Sequence, residues 1–222
     1  MALRSSDLCT LDDVKTRLGI TGSSLDTLVE DAIKCASDLC AAYCDRVFEY
    51  DDEITEVLPG FGTLELILTR PPILSIESVS FDGAELDSDT YECLGEHLNS
   101  GIVVLTNGAT WTAGIDDGGV GHNAVVGHER LRYSVVYAGG WQTPNQSSVT
   151  GSPAALPPAV RQAAIRAAVY YYQSNGQDMT LQSESLQSYS YSRGKAMDQL
   201  GDSGLPQACE AMLNRYRFVS QA

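Results

Sequence analysis

Positive charge is scarce in this chain: 14 lysines and arginines stand against 29 aspartates and glutamates, for a net charge of −15. A protein that grips nucleic-acid phosphates over a broad face needs the opposite balance, so that class is excluded. Long apolar runs are lacking too. No stretch approaches the ~20 residues that span a bilayer, and the opening MALRSSDLCTLDDV has no apolar signal-peptide core, so the protein is expected to be made and kept in the cytosol. The six cysteines, Cys9, Cys35, Cys40, Cys44, Cys93 and Cys209, include no CxxC pair. Three lie on one predicted helix, where i, i+4 geometry does not favour a disulfide, and all six read as small buried hydrophobes of a reducing compartment.

Recognisable chemistry is also absent. There is no GxSxG elbow, no Walker sequence and no GxGxxG between a strand and a helix. Only three histidines occur, His97, His122 and His128, and the spacing of His122, His128 and Glu129 matches neither HExxH nor a zinc ribbon. Asp116-Asp117-Gly-Gly lacks the alternating carboxylates and later Glu of a calcium loop and reads as a solvated turn. No catalytic, cofactor or metal site is expected.

What the chain does have is segregated charge. Residues 1–48 carry a net −3, residues 49–151 a net −13 and residues 152–222 a net +1. The same borders mark changes of pattern. Thr10 and Asp13 suggest a capping box that opens a helix near 11–18, and Ser24 is placed to cap a second helix near 24–47. In that second helix Leu25, Leu28, Val29, Ala32, Ile33, Ala36, Leu39, Cys40, Tyr43 and Val47 keep helical spacing. A third helix, near 157–174, starts at Pro157-Pro158 and stops at Asn175-Gly176; its alanines let other backbones approach on several sides, so it is expected at the centre of a bundle. A fourth is expected near 205–219.

Between residues 49 and 151 the pattern is β-rich. Short runs at Glu53 to Val57, Thr63 to Leu68, Ile73 to Phe81, Ile102 to Leu105 and Leu131 to Tyr137 are separated by turn signals, with Asp82-Gly83 and Asn107-Gly108 each expected to close a hairpin. Ala113 to His128 and Thr143 to Ala155 read as an exposed loop and a flexible connection. The fold class is α+β: a small helical bundle (1–48 with 152–222) carrying an inserted antiparallel β-subdomain (49–151). Gly176 to Gly204 is long and polar and is expected to be mobile alone and to order on assembly. Within it, Tyr189, Tyr191, Met197, Arg193 and Lys195 are candidate interface residues, joined by Arg215 and Arg217 in the last helix.

The order of these pieces resembles the head-to-tail connector proteins of tailed bacteriophages, the adaptor or head-completion family. The resemblance is carried by TLDDVKTRLGIT with LDTLVEDAIKCASDLCAAYCDRVFE, LILTRPPILSIESVSFDG, YSVVYAGGW, LPPAVRQAAIRAAVYYY, ESLQSYSYS and LPQACEAMLNRYR. Ala113 to His128 and Thr143 to Ala155 have no counterpart in it. The resemblance implies a virion subunit, assembled in the host cytoplasm, that joins a homo-oligomeric ring of about a dozen copies. It also implies docking on the portal protein and a second face turned to the tail or a stopper protein. Asp51, Asp52, Glu53, Asp116 and Asp117 would then be channel or rim acids that keep passing genomic DNA from sticking. Two other readings stay open: a soluble enzyme or small-ligand-binding protein with a site scattered in sequence, and a tail-fibre or receptor-binding component.

Overall fold

The computed structural model of the protein describes residues 2–60, 62–93, 101–112, 132–147, 149–174, 183–186, 189–192 and 200–218. These residues form two compact units: 1–49 with 142–148 and 155–222, and 50–141 with 149–154.

The first unit is helical. Helix α1 (Leu11–Leu18) opens with the expected capping box: Asp13 N donates to Thr10 Oγ1 at 3.2 Å, and Thr10 N donates to Asp13 Oδ2 at 3.0 Å. It closes on Gly19, whose φ of 68° is open to glycine without strain. Helix α2 (Asp26–Cys44) starts two residues later than its sequence suggests and has no side-chain cap, because Ser24 is taken up in the preceding turn. Its buried stripe is Val29, Ala32, Ile33, Ala36, Ser37, Cys40 and Cys44. Leu25, Leu28 and Val47 are exposed rather than buried. Leu25 and Val47 lie beyond the helix ends, and Leu28 is rotated about 100° from Val29 and so leaves the stripe.

Helix α3 (Pro158–Ser174) packs against α1, α2 and the last helix, α4 (Gln207–Leu213). Val160, Ala163, Ala164, Ile165, Ala167 and Ala168 are all buried, which is what the alanine content predicts for a helix touched on several sides. Arg161 ties α3 to the cap of α1, its Nε and Nη2 reaching the Asp13 carboxylate at 2.8–3.1 Å. The expected helix over 205–219 is shorter: α4 gives way to a 3-10 turn (Asn214–Tyr216), and Phe218 N then donates to Cys44 O at 2.7 Å. The chain leaves the helix in order to close the end of α2.

Within Gly176 to Gly204 a two-stranded hairpin forms from β8 (Ser183–Leu186) and β9 (Tyr189–Ser192), where the sequence reading expected only a polar loop. The alternation SESL and YSYS, period two, is the reason. The rest of that stretch up to 199 lies outside the described residues, as does the expectation that it is mobile. The 143–155 stretch is no free linker: Thr143 is buried, its hydroxyl donates to Ser5 O, and Asn145 Nδ2 donates to Asp7 O and Cys9 O at 2.8 and 3.0 Å.

The second unit is β-rich. Strands β1 (Asp51–Pro59), β7 (Arg132–Gly139), β3 (Ile73–Phe81) and β4 (Ala84–Glu85) form one antiparallel sheet in that order. Strands β2 (Glu65–Ile67), β6 (Ile102–Leu105) and β5 (Tyr91–Cys93) form another. Both sheets feed one core around Trp111, which meets Tyr133 edge-on at 5.0 Å and donates from Nε1 to Val103 O at 3.1 Å. Asp82-Gly83 closes a two-residue hairpin, with φ of 48° and 81° and Phe81 paired to Ala84, the geometry of a type I′ turn. Asn107-Gly108 does not close a hairpin. It turns the chain out of β6 toward Trp111, and among the described residues β6 pairs with β2 and β5 alone. The Ala113 to His128 loop lies outside the described residues.

Two outcomes test the helical unit. Ala164→Leu or Ala167→Leu places a larger side chain in a fully buried contact, and each should lower the melting temperature by an amount equivalent to about 1–3 kcal/mol. The second is a pH dependence. Burial pushes the Asp13 pKa up, but hydrogen bonds from Thr10 and Arg161 outweigh it and leave the carboxyl below its ordinary value. Its stabilising share is therefore full above about pH 4 and is lost as the pH falls through the folded pKa. Asp13→Asn should be less stable than the parent at pH 7, and the gap measured by urea unfolding should narrow toward pH 3.

Candidate interaction surfaces

The acids expected to line a rim lie partly within view. Asp51, Asp52 and Glu53 are all exposed at the start of β1, an edge strand. They are not bare: Arg70 sits 3.6 Å from Asp51, the Thr150 hydroxyl donates to Asp52, and Glu53 N donates to Asp51 Oδ1 at 3.2 Å. A β-bulge falls between Asp51 and Ile54. Charge and bulge together blunt this edge against unwanted strand pairing. Asp116 and Asp117 lie outside the described residues.

The expected interface residues are divided in the same way. Tyr189 and Tyr191 occupy β9, paired in register with Leu186 and Glu184 of β8. Arg193, Lys195 and Met197 lie outside the described residues. Arg215 and Arg217 are exposed and stand together at the end of α2. Arg217 lies over the Tyr43 ring at 5.2 Å from its centroid, and Arg215 over the Tyr216 ring at 5.4 Å.

A third arginine that sequence reading passed over joins them. Arg46 follows the left-handed Asp45 that ends α2; its Nη1 donates to Tyr216 O at 3.2 Å, and it lies 5.8 Å from the centroid of Phe48. Desolvation lowers its pKa. Its signal in the sequence was an arginine at a helix C-terminus, where positive charge complements the helix dipole. Tyr43 completes the assembly, donating its hydroxyl to Asn214 Oδ1 at 2.5 Å.

The remaining polar chemistry is quiet. All six cysteines are free; Cys9, Cys40, Cys44 and Cys209 are buried, whereas Cys35 is exposed and Cys93 half-buried. Desolvation pushes the Cys9 thiol up to about 12 and those of Cys44 and Cys209 up to about 11, so these three are poor nucleophiles at neutral pH. Among the described residues no three His, Cys, Asp or Glu side chains gather as a metal site, and the three histidines lie outside those residues. Among the described residues, too, no helix is long and apolar enough to cross a membrane.

No curated protein matches the chain. Two solved structures resemble it over its whole length. One is a chain in the neck of an empty gene transfer agent particle computed with C6 symmetry, at 13% identity and a TM-score of 0.59, covering 100% of this chain and 95% of that one. The other is a chain in the virion of a native gene transfer agent particle, at 13% identity and a TM-score of 0.56, with the same coverage. At that identity the likeness is one of fold. The family model described as head completion protein matches residues 7–116, a span that runs from the first helices into the β-rich unit. Over residues 7–116 the chain is thus similar to the head completion proteins, a head-to-tail connector family.

Proposed function

We propose that the protein is a structural subunit of the neck of a tailed particle, whose work is done by its contacts and not by turnover of a substrate. Copies close into a ring of about a dozen that docks beneath the portal and offers its other face to the tail or a stopper protein, with the genome passing through without specific binding. The helical unit (1–48 with 152–222) and the inserted β-rich unit (49–151) would supply different faces of that ring.

The head completion match over residues 7–116 carries this reading. Two further observations support it: the whole-length likeness in fold to a chain in a neck computed with C6 symmetry, and the exposed, charged and aromatic surfaces described above. Tyr189, Tyr191, Arg193, Lys195, Met197, Arg215 and Arg217 are assigned to subunit or portal contacts. Asp51, Asp52, Glu53, Asp116 and Asp117 are assigned to the channel or its rim, where like charge repels the DNA backbone.

Size-exclusion chromatography with light scattering on the full chain, alone and with its portal protein, tests the reading. The expected result is a discrete ring mass in at least one of the two conditions. A single-copy mass in both would overturn it. Once a ring is in hand, neutralising Asp51, Asp52 and Glu53 together as Asn, Asn and Gln should leave its mass unchanged and increase retention of duplex DNA at low salt. Unchanged retention would remove these acids from the channel.

A further inference from the structure

We infer that the arginine and aromatic patch at the C-terminal end of α2 is where a second copy of this chain docks, through the acidic segment made by its own β3–β4 hairpin and the 3-10 turn (Ser88–Thr90) that follows it. This rests on the ring reading above and names the two surfaces that would meet.

The patch is built, not incidental. Three contacts fix it: Phe218 N to Cys44 O at 2.7 Å, Tyr43 Oη to Asn214 Oδ1 at 2.5 Å and Arg46 Nη1 to Tyr216 O at 3.2 Å. On this frame Arg215 and Arg217 rest their guanidinium planes near aromatic rings, which limits their freedom before any partner arrives. Among the described residues neither forms an ion pair or a side-chain hydrogen bond, although the chain has twice as many acids as bases. Arg161, by contrast, spends its fork on Asp13, and Arg4 divides its own between Asp7 and Asp38. The dipole of α2 explains why cations gather at this helix end. It leaves the outward N–H groups of both exposed arginines unused, and planar forks of this kind take carboxylates.

The chain carries a matching surface. From Pro71 to Cys93 there is no lysine or arginine, and Asp82, Glu85, Asp87 and Asp89 are all exposed. Local bonds hold the backbone there: Leu86 N to Val79 O at 2.8 Å, Thr106 N to Thr90 O at 3.0 Å, and the Thr106 hydroxyl to Asp89 O at 2.9 Å. Within its sheet the turn of this hairpin lies at the opposite end from Asp51, since Phe81 pairs with Tyr133 while Asp51 and Ile73 both pair with Gly139. It is thus a separate surface from the β1 acids. Two different patches of opposite charge on one chain make a head-to-tail contact, which repeats from copy to copy and closes where the rotation allows. Copies that each carry −15 approach one another most readily where opposite charges face.

Charge reversal on the full chain tests this. Arg215→Glu with Arg217→Glu, and separately Asp87→Lys with Asp89→Lys, should each raise the concentration needed for assembly by about tenfold or more, read by light scattering at low salt. Mixed in equal amounts, the two variants should recover assembly, because every contact then joins opposite charges. Combining all four changes in one chain should do the same, which also excludes misfolding as the cause of the single defects. Rings formed by Arg215→Glu with Arg217→Glu at the wild-type concentration would overturn this pairing and leave the ring reading standing. Intact rings that no longer bind the portal would instead give the patch to the portal and overturn it as well. A wild-type chain that stays single with and without portal would remove both.

Discussion

The helical unit depends on one constraint: α3 must stay small where other helices press on it. Ala163, Ala164, Ala167 and Ala168 are fully enclosed, and the facing stripe of α2 is itself built from Ala32, Ala36 and Cys40 beside Val29 and Ile33. Small side chains lose little or no rotamer freedom on burial, so the gain from excluding water is opposed by less entropy than between long side chains. The same smallness lets backbones come close, which makes the contact sensitive to added volume and places few alternatives within reach. The polar ties act around this contact. Thr10, Asp13 and Arg161 link the cap of α1 to α3, and Tyr171 Oη donates to Gly204 O at 2.5 Å on the approach to α4.

The helices were legible because each carried both a period and an end signal. The capping box of Thr10 and Asp13, Gly19, and the Pro157-Pro158 start all act as their chemistry demands. The errors fall where the period ran past the backbone. Leu25 and Val47 continue the apolar pattern of α2 in sequence, but the helix they would extend has not begun or has already ended at the left-handed Asp45. At the other end of the chain, a helix drawn to 219 gave way after Leu213, because Asn214 and Phe218 bond back onto α2. No local pattern announces a bond between residues 171 positions apart in sequence. The arginine patch was half visible for the same reason: Arg215 and Arg217 stood out by charge, whereas Arg46 joins them only through tertiary structure.

In the β-rich unit the turns were read better than the core. Asp82-Gly83 works because a type I′ turn needs left-handed backbone at both central residues, which Asp tolerates and Gly prefers. Asn107-Gly108 is a turn signal of the same kind with a different task, since what pairs with a strand is decided by the sheet and not by the turn that follows it. Trp111, fully buried, sits in no strand and so belongs to no alternating pattern. Its place is enforced by close approach around it: Trp111 N donates to Thr63 O at 2.7 Å, and a Cβ on Gly60 would fall 2.0 Å from Thr112 O. Only glycine fits there.

Charge is the property that connects this architecture to a role in assembly. Several cations are used as internal ties: Arg4 on Asp7 and Asp38, Lys15 on Asp26, Arg70 on Asp51 and Arg161 on Asp13. Exposed pairs of this sort add little stability singly, but each removes a positive charge from what a partner can meet. The carboxylates left over therefore outnumber the remaining cations by more than the two to one of the whole chain, and any cation still facing outward stands against an acidic background. Specificity follows from that contrast. A like-charged surface costs free energy to approach everywhere except where opposite charges are held ready, so most wrong registers between copies in the proposed ring would be disfavoured before apolar contact begins. In the ring proposed above, a subunit that must find one arrangement among identical neighbours gains more from such exclusion than from a large sticky face, and the scarcity of positive charge is what sets its few outward cations apart.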